Sequence, residues 1–153
     1  MAALLLAACG SPAPASPPAP SASPVIASVT AAAAPATLGA EVTFRETGLA
    51  PRSALNVVVT ADGFADYGCA NPNGRLAGPS LPVTGQVSAL SRFHADAAGE
   101  LTGTLRLAPP PPAGIECRPD QRQLVTSARY AHLEVADVTN RVRASIGGQV
   151  SVP

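Results

Sequence analysis

From Val25 onward apolar and polar residues alternate with a period of two, the signature of strands with one face on a core and one toward water. The clearest run is 101–107. Leu101, Leu105 and Leu107 share one face, and Thr102, Thr104 and Arg106 share the other. Ahead of it Val87, Ala89, Ser91, Phe93 and Ala95 fall on one side, with Ser88, Arg92 and His94 opposite. The link Asp-Ala-Ala-Gly-Glu at 96–100 is short and carries a glycine, so the two runs predict a hairpin. Val57–Ala61 is β-branched and is followed by Asp62-Gly63, a dipeptide suited to a type I′ turn. It predicts a second hairpin with a return strand over 64–69. Residues 124–138 alternate with Val125, Ala131, Leu133 and Val135 in phase, and 141–146 alternate after a turn near Thr139-Asn140. Pro109–Pro112 cannot donate to a ladder and predict a surface connection. Ala31–Ala34 is too short for a helix and is closed by Pro35. The pattern as a whole predicts an all-β fold, an antiparallel β-sandwich of about seven or eight strands.

The residues before Val25 read differently. Met1–Ala8 is a short apolar run ending at Cys9. Residues 10–24, GSPAPASPPAPSASP, offer almost nothing to bury. Proline favours extended polyproline II there, which makes the stretch a semi-rigid, disordered tether. The expected organisation is a leader over 1–8, an attachment cysteine and linker over 9–36, and the sandwich over 37–153.

Composition narrows the function classes. The chain holds 17 prolines and 13 glycines, in keeping with many turns. Only 13% of residues are charged and the formal net charge is zero, which argues against a nucleic-acid partner, since that would need a basic face to neutralise phosphates. All basic residues are arginine, with no lysine. In an Ala/Pro-rich chain that points to codon bias rather than to a ligand.

Three stretches carry resemblances. Leu6-Ala7-Ala8-Cys9 resembles the bacterial lipobox. The resemblance implies that the leader is removed, that the Cys9 thiol receives diacylglycerol and that the new amino terminus can be acylated. Two acyl chains suffice for stable membrane anchoring. The front of the leader departs from that pattern, having no Lys or Arg before the apolar run. The segment Val42-Thr-Phe-Arg-Glu-Thr-Gly-Leu-Ala-Pro-Arg-Ser53, continued by Leu55–Gly63, resembles immunoglobulin-like repeats of prokaryotic surface proteins and the Gly-Leu-x-Pro corner of fibronectin type III modules. It implies an immunoglobulin-like sandwich with Leu49 plugging the core. Arg52 stands where such a corner usually has glycine, and Leu55 near the usual aromatic. The whole chain, with Tyr67-x-Cys69 and Cys117-x-Pro119 as landmarks, is also similar to small secreted proteins of high-GC, actinomycete-type bacteria with no assigned function.

With Cys9 taken by lipid, Cys69 and Cys117 are left as a pair, which outside the cytoplasm is expected to form a disulfide. His94 and His132 sit at polar phases, with no ligand spacing for a metal. No cofactor is implied. A Ser-His-Asp set such as Ser91, His94 and Asp96 can be written down, but no Gly-x-Ser-x-Gly elbow accompanies it. Asp62, Asp66, Asp96, Asp120 and Asp137 read as isolated turn formers. Among the five aromatics, Tyr67 and Tyr130 are the candidates for a surface contact. Arg129, Arg141 and Arg143 are candidates for a small basic strip on the last hairpin, or for charges that blunt a sheet edge. The expectation is an exported, lipid-anchored or secreted cell-envelope protein with a non-catalytic binding or structural module. Its partners are the membrane, through the N-terminal lipid, and an envelope protein or polymer. The alternative is an exported hydrolase whose triad is not visible in sequence.

Overall fold

A computed structural model describes residues 22–153. The expected leader over 1–8, the lipidation site Cys9 and most of the Pro/Ala/Ser tether lie outside the described residues. Eight strands follow in order: β1 (Val25–Ala34), β2 (Gly39–Thr47), β3 (Ala54–Ala70), β4 (Leu81–His94), β5 (Leu101–Leu107), β6 (Arg122–Asp137), β7 (Val142–Ser145) and β8 (Gln149–Val152). They form two antiparallel sheets. The smaller has the order β1-β2-β5. The larger runs β4-β3-β6-β7, with β8 also paired to β6. The second and fifth strands share one sheet and the third, sixth and seventh the other, as in immunoglobulin-like sandwiches. The expected fold class is what the chain adopts.

The core forms where the two inner faces meet. Val42 and Phe44 project from β2, Leu55, Val57 and Val59 from β3, Leu107 from β5, and Tyr130, Leu133 and Val135 from β6; all are almost fully buried. Side chains of this size each contribute about 1.5–3 kcal/mol on burial. Phe44 and Phe93 meet edge to face at 5.3 Å between ring centroids. Gly103 makes that pair possible, because a Cβ there would lie 2.6 Å from Phe44 Cζ and 2.8 Å from Phe93 Cε1. Leu49 is buried in the core as the corner motif implies. Gly48 turns it inward at φ 77°, and the Leu49 amide donates to the Gly99 carbonyl at 3.1 Å.

Four expectations are corrected. The sandwich begins at Val25, not at residue 37. β1 pairs with β2 from Val25↔Thr47 to Ala34↔Gly39, because an uncharged Ala/Val run serves an edge strand as well as it serves a linker. Asp62-Gly63 is not a turn but lies inside the 17-residue strand β3. Both neighbours hold it extended: Gly63 is paired to Gly85 of β4 and to Tyr130 of β6. Tertiary pairing overrides local turn preference there. The runs 87–95 and 101–107 are consecutive but do not form a hairpin, since β4 pairs β3 and β5 pairs β2. The link between them arches from one sheet to the other. Asp96 Oδ1 accepts from the amides of Ala98 at 2.8 Å and Glu100 at 2.9 Å, and the Leu49 corner bonds to it. In β6 the inward phase is not continuous. Ala128 and Tyr130 point in, then Leu133 and Val135 do. A bulge opposite Thr60–Asp62, with His132 at φ 49°, shifts the phase by one residue.

Candidate functional site

β3 and β6 run on past the smaller sheet, so the inner face of their far end needs another cover. The loop after β5 supplies it. Pro110 lies against the inner face, 3.1 Å from where a Cβ on Gly63 would stand, and its carbonyl accepts from the buried Tyr67 hydroxyl at 2.7 Å. Past Pro112 the loop continues to Cys117, which is disulfide-bonded to Cys69 with a Cα–Cα distance of 5.5 Å. The expected bridge is present. It staples the 108–121 loop to the end of β3, beside the 71–80 excursion.

Between these two loops lies an open cleft of about 650 Å3. Tyr67, Leu81 and Ile115 supply its apolar lining, and Glu116, Arg118 and Gln121 its polar side. The walls are tied together. Gln121 Nε2 donates to Asn71 Oδ1 at 3.3 Å, and Gln123 Nε2 to the Ile115 carbonyl at 3.2 Å. The 71–80 excursion is closed by an Asn71 amide bond to the Arg75 carbonyl at 2.8 Å and an Ala77 amide bond to the Cys69 carbonyl at 2.8 Å. Such a cleft can hold a ligand by hydrogen bonds and apolar contact. Its lining includes neither histidine nor serine.

A second groove of about 530 Å3 lies on the outer face of the larger sheet. Its floor is Phe64, with the Arg129 guanidinium 4.7 Å from the ring centroid. Ser127 Oγ donates to Asp66 Oδ2 at 2.7 Å beside it.

Neither Tyr67 nor Tyr130 stands out on the surface; both are buried, and Tyr67 reaches solvent only through the lining of the cleft. The Tyr130 hydroxyl donates to the Leu38 carbonyl at 2.9 Å, and burial pushes its pKa up to about 12. Burial also raises that of Tyr67. A chain with five aromatics needs its tyrosines inside. The three arginines do not form one strip. Arg129 is midway along β6 on Phe64, Arg143 is opposite Ala136 and paired with Glu134 at 3.5 Å, and Arg141 takes φ 61° in the β6–β7 turn. His132 Nδ1 lies 2.8 Å from Asp62 Oδ2, exposed on the outer face. Ser91 has the inward phase of β4 and His94 the outward one, while Asp96 caps the next loop. These three do not converge.

Asp62 and Asp66 lie within β3 and Asp137 ends β6, so only part of the turn-former expectation holds. Asp96 is the clear case. Asp137 is fully buried, as is Glu46 of β2, and these are the two buried charged side chains among the described residues. Asp137 accepts from the amides of Thr139 at 2.8 Å and Asn140 at 3.3 Å, and from Asn140 Nδ2 at 2.5 Å. Neither oxygen of Glu46 has a donor. Burial first, then the nearby Asp137 carboxylate, raises the Glu46 pKa to about 7. A signal for the pair existed in the sequence: Glu46 continues the inward phase of Val42 and Phe44, and Asp137 that of Leu133 and Val135.

Among the described residues no three His, Cys, Asp or Glu side chains converge as metal ligands, and no helix is long and apolar enough to cross a membrane. No family model, curated protein or solved structure matches the chain.

Proposed function

We propose that this chain is an exported, tethered cell-envelope module that binds rather than catalyses, and that the stapled cleft is its contact site. The Cys69–Cys117 bond is the observation that carries the proposal. Disulfides persist in oxidising compartments, and this one ties the 108–121 loop to the end of β3 at the floor of the cleft. The Pro/Ala/Ser tether and the lipobox-like Cys9 supply the attachment. The tether stands the domain off the membrane, and the loops at one end of the sandwich face an envelope protein or polymer. Binding sites commonly sit on loops held by a rigid scaffold.

Co-sedimentation with purified envelope wall material tests the contact site. The oxidised chain is expected to pellet with the polymer, and Glu116→Ser combined with Arg118→Ser, which removes two cleft-lining side chains, to stay in the supernatant at unchanged fold stability. Equal pelleting of both proteins, or of neither, overturns the assignment of the cleft.

A further inference from the structure

We infer that β4 is a homodimerisation edge: two copies of the chain pair their β4 strands antiparallel about a two-fold axis at Val87, joining the two larger sheets into one. β4 ends the larger sheet, and among the described residues no segment pairs with its outer side. Its 14 residues make it the longest edge strand, and it pairs with β3 without a register break. Arg92 is its only charge and Pro82 its only proline. Natural sheets protect such an edge with charges, prolines, bulges or brevity, because unpaired backbone groups recruit another strand.

The other edges carry that protection. β1 has a bulge between Ile26 and Ser28. β5 is only seven residues long and carries the charged Arg106. The far side of the larger sheet is broken into β7 and β8, four residues each. Pairing is therefore confined to one edge. An edge that pairs with itself about a two-fold axis uses up its own surface and closes at two copies, where pairing through two edges would build a fibre.

A second copy fits this edge better than a foreign strand, for reasons of pattern. With Val87 opposite Val87 of the second copy, residues of like phase meet, so both inner faces stay on one side. Leu81, half exposed in the monomer, then stands opposite Phe93, which is partly buried at the open seam of the core. Both partners occur twice by symmetry. Thr84 meets Leu90, the most exposed large apolar side chain among the described residues at 66%, and Gln86 meets Ser88. Arg92 falls opposite Pro82, far from its own twin, so no like charges are apposed. The strand itself carries no acidic side chain that would select a basic partner strand.

Sedimentation velocity of the oxidised chain over a concentration series tests the inference. The expected result is a monomer–dimer equilibrium. Gln86→Lys with Ser88→Lys apposes like charges twice across the axis and is expected to weaken the dimer about tenfold or more, whereas Gln86→Glu with Ser88→Lys apposes opposite charges and restores or tightens it. Both variants alter exposed outward positions, and their unfolding midpoints at low concentration show that the monomer is intact. A monomer at every concentration overturns the inference and leaves the edge to a strand of another protein. A dimer indifferent to the sign of these charges overturns it equally, because the contact then lies elsewhere.

Discussion

Glu46 and Asp137 are fully buried on opposite sheets of the sandwich and interact as a carboxyl pair, with three hydrogen bonds donated to Asp137 and none to Glu46. Two buried carboxylates close to each other repel, so one of them gains by taking up a proton. Glu46, whose oxygens receive no hydrogen bond, is the group that gains most by carrying it.

This pair gives stability a pH dependence of defined sign. In the unfolded chain Glu46 ionises near 4.5, in the folded protein near 7. Between those values the native state binds more protons, so stability falls as pH rises. It is intact below about pH 4.5, and above about 7 it carries a cost of roughly 3 kcal/mol. Glu46→Gln is expected to flatten this window and to be more stable than the parent at pH 8. Urea unfolding at pH 5 and pH 8 reads the difference. Parallel loss in parent and variant would refute the coupling.

The Cys69–Cys117 bridge closes a 48-residue separation, for which the chain-entropy account gives roughly 4 kcal/mol. The double substitution Cys69→Ser/Cys117→Ser is expected to lower the unfolding free energy by about 2–4 kcal/mol. It should also free the 108–121 loop, seen as faster amide exchange at residues 113–121 than in β3 and β6. Unchanged exchange in the loop would show that Pro110 and Gln121 hold it without the bond.

Arg52 sits at φ 58°, in the left-handed region that disfavours side chains, and its amide donates to the Asp96 carbonyl at 3.0 Å. Arg52→Gly keeps that bond and removes the strain. After the extra freedom of glycine in the unfolded chain is counted, a net gain of roughly 0.5–1 kcal/mol remains. The melting temperature is expected to rise by a few degrees (about 2–5 °C). A fall would mean that the Arg52 side chain contributes more than its backbone costs.

The strand pattern and the disulfide were legible in the sequence because each depends on few variables. Leu101, Leu105 and Leu107 alternate cleanly, and Cys69 and Cys117 had only each other once Cys9 was set aside. What could not be read was set by partners distant in the chain. Asp62-Gly63 is a turn by composition, yet Gly85, Tyr130 and Pro110 hold it in a strand. The hairpin expected between 87–95 and 101–107 became an arch between sheets because the Leu49 corner docks on the link. The inward phase of β6 departs from the alternation at Ala131 because a bulge at His132 leaves no mark in the hydrophobic pattern. The cleft was half visible. Its cysteines were found, but the lining by Ile115, Arg118 and Gln121 follows from where the staple lays an irregular loop.

The most direct test of the account is the intact mass of the protein purified from the envelope of cells that make it, recorded without reductant and again after reduction. The predicted species begins at Cys9, carries the added mass of diacylglycerol on that residue, and gains two hydrogens on reduction as Cys69 and Cys117 separate. Recovery in the cytosol, with Cys9 unmodified and no mass change on reduction, would contradict it.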